Sequence, residues 1–521
     1  MALQARPSSA RGGSGGGGGG VIVNVSWCKY SVVRDAATAM GFSLVDDQED
    51  AASPYNVLWL DVGCGIDKVM ALRAHMRINH WPGMSCLHTK TGLAATLRPM
   101  QRVFAQAYDH VHPRTWLLPE EMGDFSRVLA DEDAAAAAAT AGVVAAAAAT
   151  AETTGAAGLG EGGKHRRRVF IVKPASSCQG RGIHLARTLA DLQDPRAASI
   201  AQEYEARPFL VEGLKFDLRI YVLLSSVDPL RLWLFDEGLA RFATTPYAAP
   251  RGSNLKNVTQ HLTNYAINKD SASFVQNSGG VSQGNVGSKR TLTWFRSWLD
   301  ANGFSSTVVW GRIVDLIVKV FIAGQPQLAR TYRAAVAADG GSMRCFEVLG
   351  LDVLLDRNLW PWMLEVNHSP SLSCDSKLDE QIKHRLITET FEMLRLRSGD
   401  QKRAAEAEAA AARVRLYGSA AAIGGGSGAA AVAAVAAAAT RSPALQPPRR
   451  TTLSRRRPRL RPRAPATTAA ASAAAQTRRR TQARRRSPRR RGPWGERRRG
   501  RLRGPRAKLL HRARLLIGSS A

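Results

Sequence analysis

Asp352, Glu365 and Asn367 are three oxygen-bearing side chains whose types and spacing suit a cation site. They lie in CFEVLGLDVLLDRNLWPWMLEVNHSPS, residues 345–371, where two β-type runs flank a polar turn at 356–358. A hairpin centred between 358 and 359 sets Asp352 opposite Glu365, and Asn367, two residues on, shares the Glu365 face. Carboxylates converging among apolar neighbours need a counter-charge. A hard, oxygen-preferring Mg²⁺ that bridges substrate phosphates supplies one. The competing reading is a pair of edge carboxylates in solvent, against which stands the apolar run around them.

Two further stretches could hold the phosphates. In VFIVKPASSCQGRGIHL, residues 169–185, an apolar strand ends at Lys173-Pro174 and a small-residue loop places Gly180 and Gly182 around Arg181. Glycines let such a turn approach a phosphate closely, and its amides donate to phosphate oxygens; taken alone, a glycine-rich hairpin is equally a plain turn. In GLKFDLRIYVLL, residues 213–224, alternation gives one face to Phe216, Leu218, Ile220 and Val222 and the other to Lys215, Asp217 and Arg219. That charged face suits solvent or a cleft equally. HLTNYAINK, residues 261–269, and EGLARFATTPY, 237–247, add Arg241, Thr263 and Asn264, which could reach a polyanion. No Ser–His or Cys–His nucleophile arrangement is evident. The combination suits a reaction in which the substrate's own carboxylate attacks a γ-phosphate while the protein supplies position and electrostatics.

The elements that must position these groups are legible from the pattern. β-type runs fall at 21–26, 57–61, 169–173, 201–204, 216–224, 231–235, 239–242, 345–355 and 360–365. Helical periodicity fits 31–40, 291–300, 311–323 and 378–396. The mixture predicts an α+β fold with antiparallel hairpins. Residues 1–20 read as a disordered Gly/Ser leader, 21–129 as an N-terminal α/β region, 130–163 as an Ala/Gly-rich insertion, 164–399 as the catalytic core and 400–521 as a basic low-complexity tail. Twelve of the sixteen residues at 134–149 are alanine, which predicts a segment looping out rather than a buried helix.

Charge must be partitioned before it is interpreted. Of 73 basic and 42 acidic residues, 31 and 3 fall after residue 400, leaving a nearly neutral body with 42 and 39. The tail should be disordered alone, and Trp494 is the only aromatic after Tyr417, so base-stacking recognition of nucleic acid is poorly supported. The six cysteines form no CxxC pair, which disfavours a zinc ribbon or a disulfide scaffold. No signal-peptide pattern opens the chain, and no apolar run reaches the roughly 18 residues of a membrane span. A soluble intracellular protein is expected.

The motifs VFIVKPASSCQGRGIHL, PFLVEGLKFDLRIYVL, DEGLARFATTPY, HLTNYAINK, FEVLGLDVLLD and LEVNHSPSLSCDSKLD, in this order, resemble the tubulin tyrosine ligase-like family, an ATP-grasp lineage, and most closely its polyglutamylase branch. NVSWCKYSVVRDAATAMGF and MRINHWPGM resemble the family's first region. The resemblance covers about 21–399 and implies an ATP-grasp-like core that uses ATP and Mg²⁺ to join free L-glutamate to glutamate carboxylates of tubulin tails. It puts Lys173, Gln179, Gly180, Arg181 and Gly182 over the ATP phosphates, Gln202, Glu203, Tyr204 and Glu205 beside adenine, and Lys215, Asp217, Thr263 and Asn264 along the nucleotide. It makes Arg219 the cation at the reacting phosphoryl group and Asp352, Glu365 and Asn367 the Mg²⁺ ligands. Arg241, Tyr265 and Lys377 fall where glutamate binds, and Gln179 and His368 fall where chain elongation is chosen over branch initiation. It further implies microtubules as partner, no membrane, and a cytoplasmic, cytoskeletal location at a cilium or basal body. The tail departs from the family pattern, being more repetitive and Arg-rich than the helical microtubule-binding segment expected there. The rival readings are a tubulin glycylase or tyrosine ligase, and a non-catalytic microtubule or nucleic-acid binder acting through the tail.

Overall fold

The computed structural model describes residues 20–46, 55–151, 167–177, 180–336, 344–421 and 517–518. Its strands form three sheets. The first is parallel, in the order β2-β1-β3-β4, from β1 (Ile22–Trp27), β2 (Ser43–Val45), β3 (Val57–Leu60) and β4 (Arg77–Ile78). The helix Ser31–Ala39 joins β1 to β2 and buries Val32, Val33, Ala36 and Ala37, the one-sided spacing of a helix lying on a sheet. The INHWPG stretch closes the end of β3. Asn79 Oδ1 accepts from the Leu60 amide and its Nδ2 donates to the Leu60 carbonyl, each at 2.8 Å, so a side-chain amide completes the ladder where backbone leaves it.

The second sheet is antiparallel, with β5 (Thr115–Leu118), β6 (Phe170–Pro174), β7 (His184–Ala186) and β8 (Ser199–Glu203) in the order β5-β8-β6-β7. Trp116 and Phe170 on this sheet bury Phe125 and Leu129 of the helix Met122–Ala151. That helix continues straight into the alanine run that was expected to loop out. Methyl groups favour helix without needing a partner, and residues 133, 134, 137 and 138 are exposed. Glu132, still buried, accepts from the Arg168 amide at 2.9 Å and from its Nε at 2.5 Å, tying the helix to the start of β6.

The third sheet holds β9 (Leu210–Val211), β10 (Leu214–Val227), β11 (Leu230–Phe242), β12 (Lys289–Thr291), β13 (Glu347–Leu355) and β14 (Pro361–Asn367). Its main path runs β12-β11-β10-β13-β14, all antiparallel, with β9 pairing β10 and Ile517–Gly518 running parallel to β11. Phe216, Leu218, Ile220 and Val222 enter the largest core, with Phe295 of the helix Leu292–Ala301 and Ile313, Val320 and Phe321 of the helix Ser306–Ala335. The opposite face of β10 starts charged and ends in Tyr221 and Leu223, which join a core with Val23, Trp59 and the helix Lys377–Leu394. Among the described residues no helix is long and apolar enough to cross a membrane.

Candidate active site

The β13–β14 hairpin has the expected pairing at its chemical end: Gly350 faces Asn367, Leu351 faces Val366 and Asp352 faces Glu365. Nearer the turn a bulge intervenes, and Val353 faces Met363. On the other side of β13, Arg219 of β10 is the direct partner of Asp352. Arg219 Nε donates to Asp352 Oδ1 at 2.6 Å and its Nη2 to Oδ2 at 3.1 Å. Arg241 of β11 bridges two carboxylates, reaching Asp217 Oδ2 at 2.6 Å and Asp352 Oδ2 at 2.7 Å. Thr263 Oγ1 donates to Asp217 at 2.8 Å. The charged face of β10 is therefore a buried, cross-paired cluster and not a solvated surface.

Electrostatics in the cluster are uneven. Burial alone would raise Asp352, but the Arg219 and Arg241 guanidiniums outweigh it and hold that carboxyl well below the usual range. Glu365 has the opposite balance: burial and then the neighbouring Asp352 charge push it up to about 7. Asn367 Nδ2 donates to the Gly350 carbonyl and to Glu365 Oε1, both at 3.1 Å, which fixes its Nδ2 edge and leaves Oδ1 available as a donor atom to a cation. Two carboxylates in conflict beside an amide oxygen form an all-oxygen set that fits a hard divalent cation. Among the described residues no group of three or more His, Cys, Asp or Glu gathers into a metal cluster.

The second sheet brings one lysine to this cluster, and β10 of the third sheet brings another. Lys173 on β6 and Lys215 on β10 line a cavity of about 80 Å³ together with Tyr204, Asp217, Asp352 and Glu365. Burial pushes Lys173 down to about 8 against the pull of Glu365, and pushes Lys215 down to about 7 against that of Asp217. Lys173 Nζ donates to Gln202 Oε1 at 2.8 Å, and Lys215 Nζ donates to the Tyr204 hydroxyl at 2.9 Å. Glu203, Glu205, His261, Thr263 and Asn264 also line it, among apolar residues. Gly180 and Gly182 turn the β6–β7 loop with φ of +81° and +72°. A Cβ on Gly180 would lie 2.6 Å from Ile267 Cδ1, so the loop presses on the segment after Asn264. Arg181 is exposed in this loop, and Gln179 lies outside the described residues.

A second cavity of about 450 Å³ adjoins the first, sharing Ile183, Asn264, Leu364 and Glu365. His368 stacks on His88 with ring centroids 3.8 Å apart, and burial, with His88 and His80 nearby, pushes it down to about 4. The residues assigned to glutamate are not gathered in one place. Arg241 is in the carboxylate cluster, whereas Tyr265 lies under Lys289 Nζ at 3.9 Å in a separate small cavity with Asp375 and Asp379. Lys377 is exposed at the start of its helix, outside the lining of these cavities.

Sequence reasoning missed Lys90, whose Nζ donates to the Ser177 carbonyl at 2.6 Å in the larger cavity, and Lys289, which also pairs with buried Asp379 at 2.8 Å. It missed His112, buried between both sheets. The signals for Lys90 were weak: Thr89 caps its helix through the Gly92 amide at 3.0 Å, which marks a helix start but not what faces the cleft.

A mixed α/β fold in which buried lysines and arginines from two sheets surround paired carboxylates frames the class of protein. Residues 68–403 match the model of the tubulin-tyrosine ligase family, and the chain belongs to that family. It is similar to the Mus musculus protein named tubulin polyglutamylase TTLL13, with 38% identity over 397 residues, 76% of this chain and 44% of that protein. It is similar also to Danio rerio tubulin polyglutamylase ttll6, with 38% identity over 386 residues, 74% of this chain and 44% of the relative. With Xenopus tropicalis tubulin polyglutamylase TTLL7 the identity is 35% over 400 residues, 76% and 40%. The chain spans less than half the length of these curated relatives.

Proposed function

We propose that this protein is an ATP- and Mg²⁺-dependent carboxylate–amine ligase with an ATP-grasp-like core, joining L-glutamate to glutamate carboxylates of tubulin C-terminal tails. The observation that carries the reading is the conflict between Asp352 and Glu365 in a cavity that Lys173 and Lys215 also line. An acceptor carboxylate oxygen attacks the γ-phosphorus, the bond to the β-phosphate oxygen breaks, and an acyl phosphate and ADP result. The glutamate amine then forms the new C–N bond, losing a proton as phosphate leaves. Lys173, Lys215 and the Gly180–Gly182 turn offset the triphosphate charge. Arg219 acts at the transferring group, where a fixed guanidinium stabilises charge that peaks in the transition state. Asp352, Glu365 and Asn367 hold Mg²⁺, which supplies Lewis-acid polarisation of the phosphoryl oxygens.

On this reading Gln202–Glu205 border adenine, Thr263 and Asn264 border the phosphates, and Arg241 receives glutamate, whereas Tyr265 and Lys377, which the resemblance also assigns to it, lie apart from Arg241. His368, beside the metal-binding Asn367, borders the acceptor and with Gln179 favours elongation of existing glutamate branches. Its partners are then tubulin tails and microtubules, in cytoplasm or cilium. The names of the similar proteins support glutamate as the amino acid added. The test is an amino-acid panel with ATP, Mg²⁺ and microtubules, read by mass spectrometry of the tails, with unbranched and pre-branched tail peptides in parallel. Glutamate should be added selectively, and faster to the branched peptide. Addition of glycine or tyrosine alone would overturn the assignment.

A further inference from the structure

His112 is buried at 3% exposure, in the segment between the helix Ala105–Tyr108 and β5, and no step proposed above uses it. Its Nδ1 lies 2.8 Å from the Met363 carbonyl, and its Nε2 lies 3.1 Å from Gln202 Nε2. Gln202 is itself 1% exposed; its Nε2 also donates to Thr115 Oγ1 at 2.9 Å, and its Oε1 accepts from Lys173 Nζ at 2.8 Å.

Thr115 Oγ1 also lies 3.4 Å from His112 Nε2 but donates its proton to the Pro113 carbonyl at 2.8 Å, and the remaining roles in this chain are assignable. Lysine can only donate, so the Gln202 oxygen must face Lys173 and its NH₂ must face His112 and Thr115. An imidazole nitrogen facing NH₂ must accept, so the His112 proton sits on Nδ1 and is donated to Met363. The ring is therefore neutral, and burial, which pushes His112 down to about 4, agrees with that. The far end of the chain is also fixed. The Met363 amide donates to the Val111 carbonyl at 2.9 Å, so residues 111 and 112 occupy both backbone groups of Met363 on the open side of edge strand β14. Met363 is two residues from Glu365 and lies where the ladder slips.

We propose that His112 is a positioning residue which, through Gln202, fixes the Lys173 ammonium relative to the Glu365 end of β14 and so sets the spacing between the phosphate cation and the carboxylates. The inference rests on the nucleotide reading above. Without the ring, the Gln202 NH₂ keeps only Thr115 as a partner, and the acceptor it presents to Lys173 is held less firmly. A lysine that holds phosphate equally before and during transfer affects substrate binding more than turnover.

The experiment compares the full chain with His112→Phe, His112→Gln and Lys173→Met, and with the His112→Phe/Lys173→Met double variant. Thermal stability, KM for MgATP, KM for glutamate and kcat are measured for each. His112→Phe should raise the KM for MgATP about tenfold, with kcat and the glutamate KM within about twofold. His112→Gln, whose amide oxygen can accept from Gln202, should recover most of that loss. In the Lys173→Met background His112→Phe should add less than twofold, because the residue it positions is gone. A nitrogen-15 spectrum of the unaltered protein should show a neutral His112 protonated on Nδ1. An unchanged MgATP KM in His112→Phe, full multiplication of the two effects, or an Nε2-protonated ring overturns this inference alone. Failure of the unaltered protein to bind MgATP overturns it together with the nucleotide reading.

Discussion

Glu365→Gln separates the fold from the proposed chemistry. Burial and the Asp352 charge move the Glu365 carboxyl from an ordinary 4.5 up to about 7. At about 1.4 kcal/mol per pH unit, ionising this group costs the folded state roughly 3 kcal/mol. The sign follows from the direction: the folded value lies above the unfolded one, so the contribution is complete below pH 4.5 and is lost as pH rises through about 7. An amide of the same shape carries no charge to lose. The variant without ligands should match the parent at pH 4 and exceed it at pH 8 by up to roughly 3 kcal/mol, on the order of 5 °C in melting temperature. Mg²⁺ with ATP should stabilise the parent and should stabilise the variant much less, since a neutral amide is a poorer ligand for a hard cation. Glutamate incorporation should vanish. Scanning fluorimetry at both pH values, with and without Mg²⁺ and ATP, and mass spectrometry of tubulin tails read the three outcomes. Equal pH dependence in parent and variant would refute the electrostatic argument, and full incorporation would refute the metal assignment.

Asp352→Asn should behave oppositely to Glu365→Gln, because it strips the carboxylate that both Arg219 and Arg241 share; a loss of about 3–5 kcal/mol in denaturant titration is expected, and a stabilised variant would contradict the pairing. Lys173 and Lys215, pushed down to about 8 and about 7, are partly neutral near pH 8, so MgATP binding should take up protons and weaken as pH rises from 7 to 9. Calorimetry in buffers of different ionisation enthalpy reads this, and a buffer-independent heat would count against phosphate contact by these lysines. Gly350→Ala would put a Cβ 2.9 Å from Pro370 Cβ and 3.1 Å from Arg219 Cδ. Displacing that guanidinium should lower kcat at least tenfold while costing about 1–3 kcal/mol of stability, and an unchanged kcat would show that Arg219 does not act at the transferring group.

Much of this site was legible because it lies on strands whose alternation fixes what faces what. The charged face of β10 and the pairing of Asp352 with Glu365 needed only period-two counting and a turn centre. The strand β11 was read as two pieces because Asp236, Glu237 and Gly238 interrupt its apolar run. Tertiary structure explains the interruption. Buried Glu237 accepts from the amides of Leu292 and Thr293 at 2.7 and 3.2 Å, capping the next helix, and Gly238 leaves room for the Arg219 carbonyl. The helix Ser306–Ala335 outran its expected 311–323 because Pro326 sits inside it without ending it. His112 and Lys90 were illegible for another reason. Their partners Met363 and Ser177 lie 251 and 87 residues away, and no local pattern records such a contact.

The slip between Val353 and Asp352 in the hairpin ladder resets the phase of strand β14. In an unbroken strand Met363 and Glu365 would project to the same side. Here Met363 joins the main core while Leu364 and Glu365, consecutive in sequence, both line the cavity, and Val366 returns to the core. The extra residue works as a gear between two repeats: packing on the turn side keeps its own rhythm, and the reactive end keeps another. Changes in hairpin length or turn sequence can therefore be absorbed on the turn side without rotating the carboxylate out of the cleft.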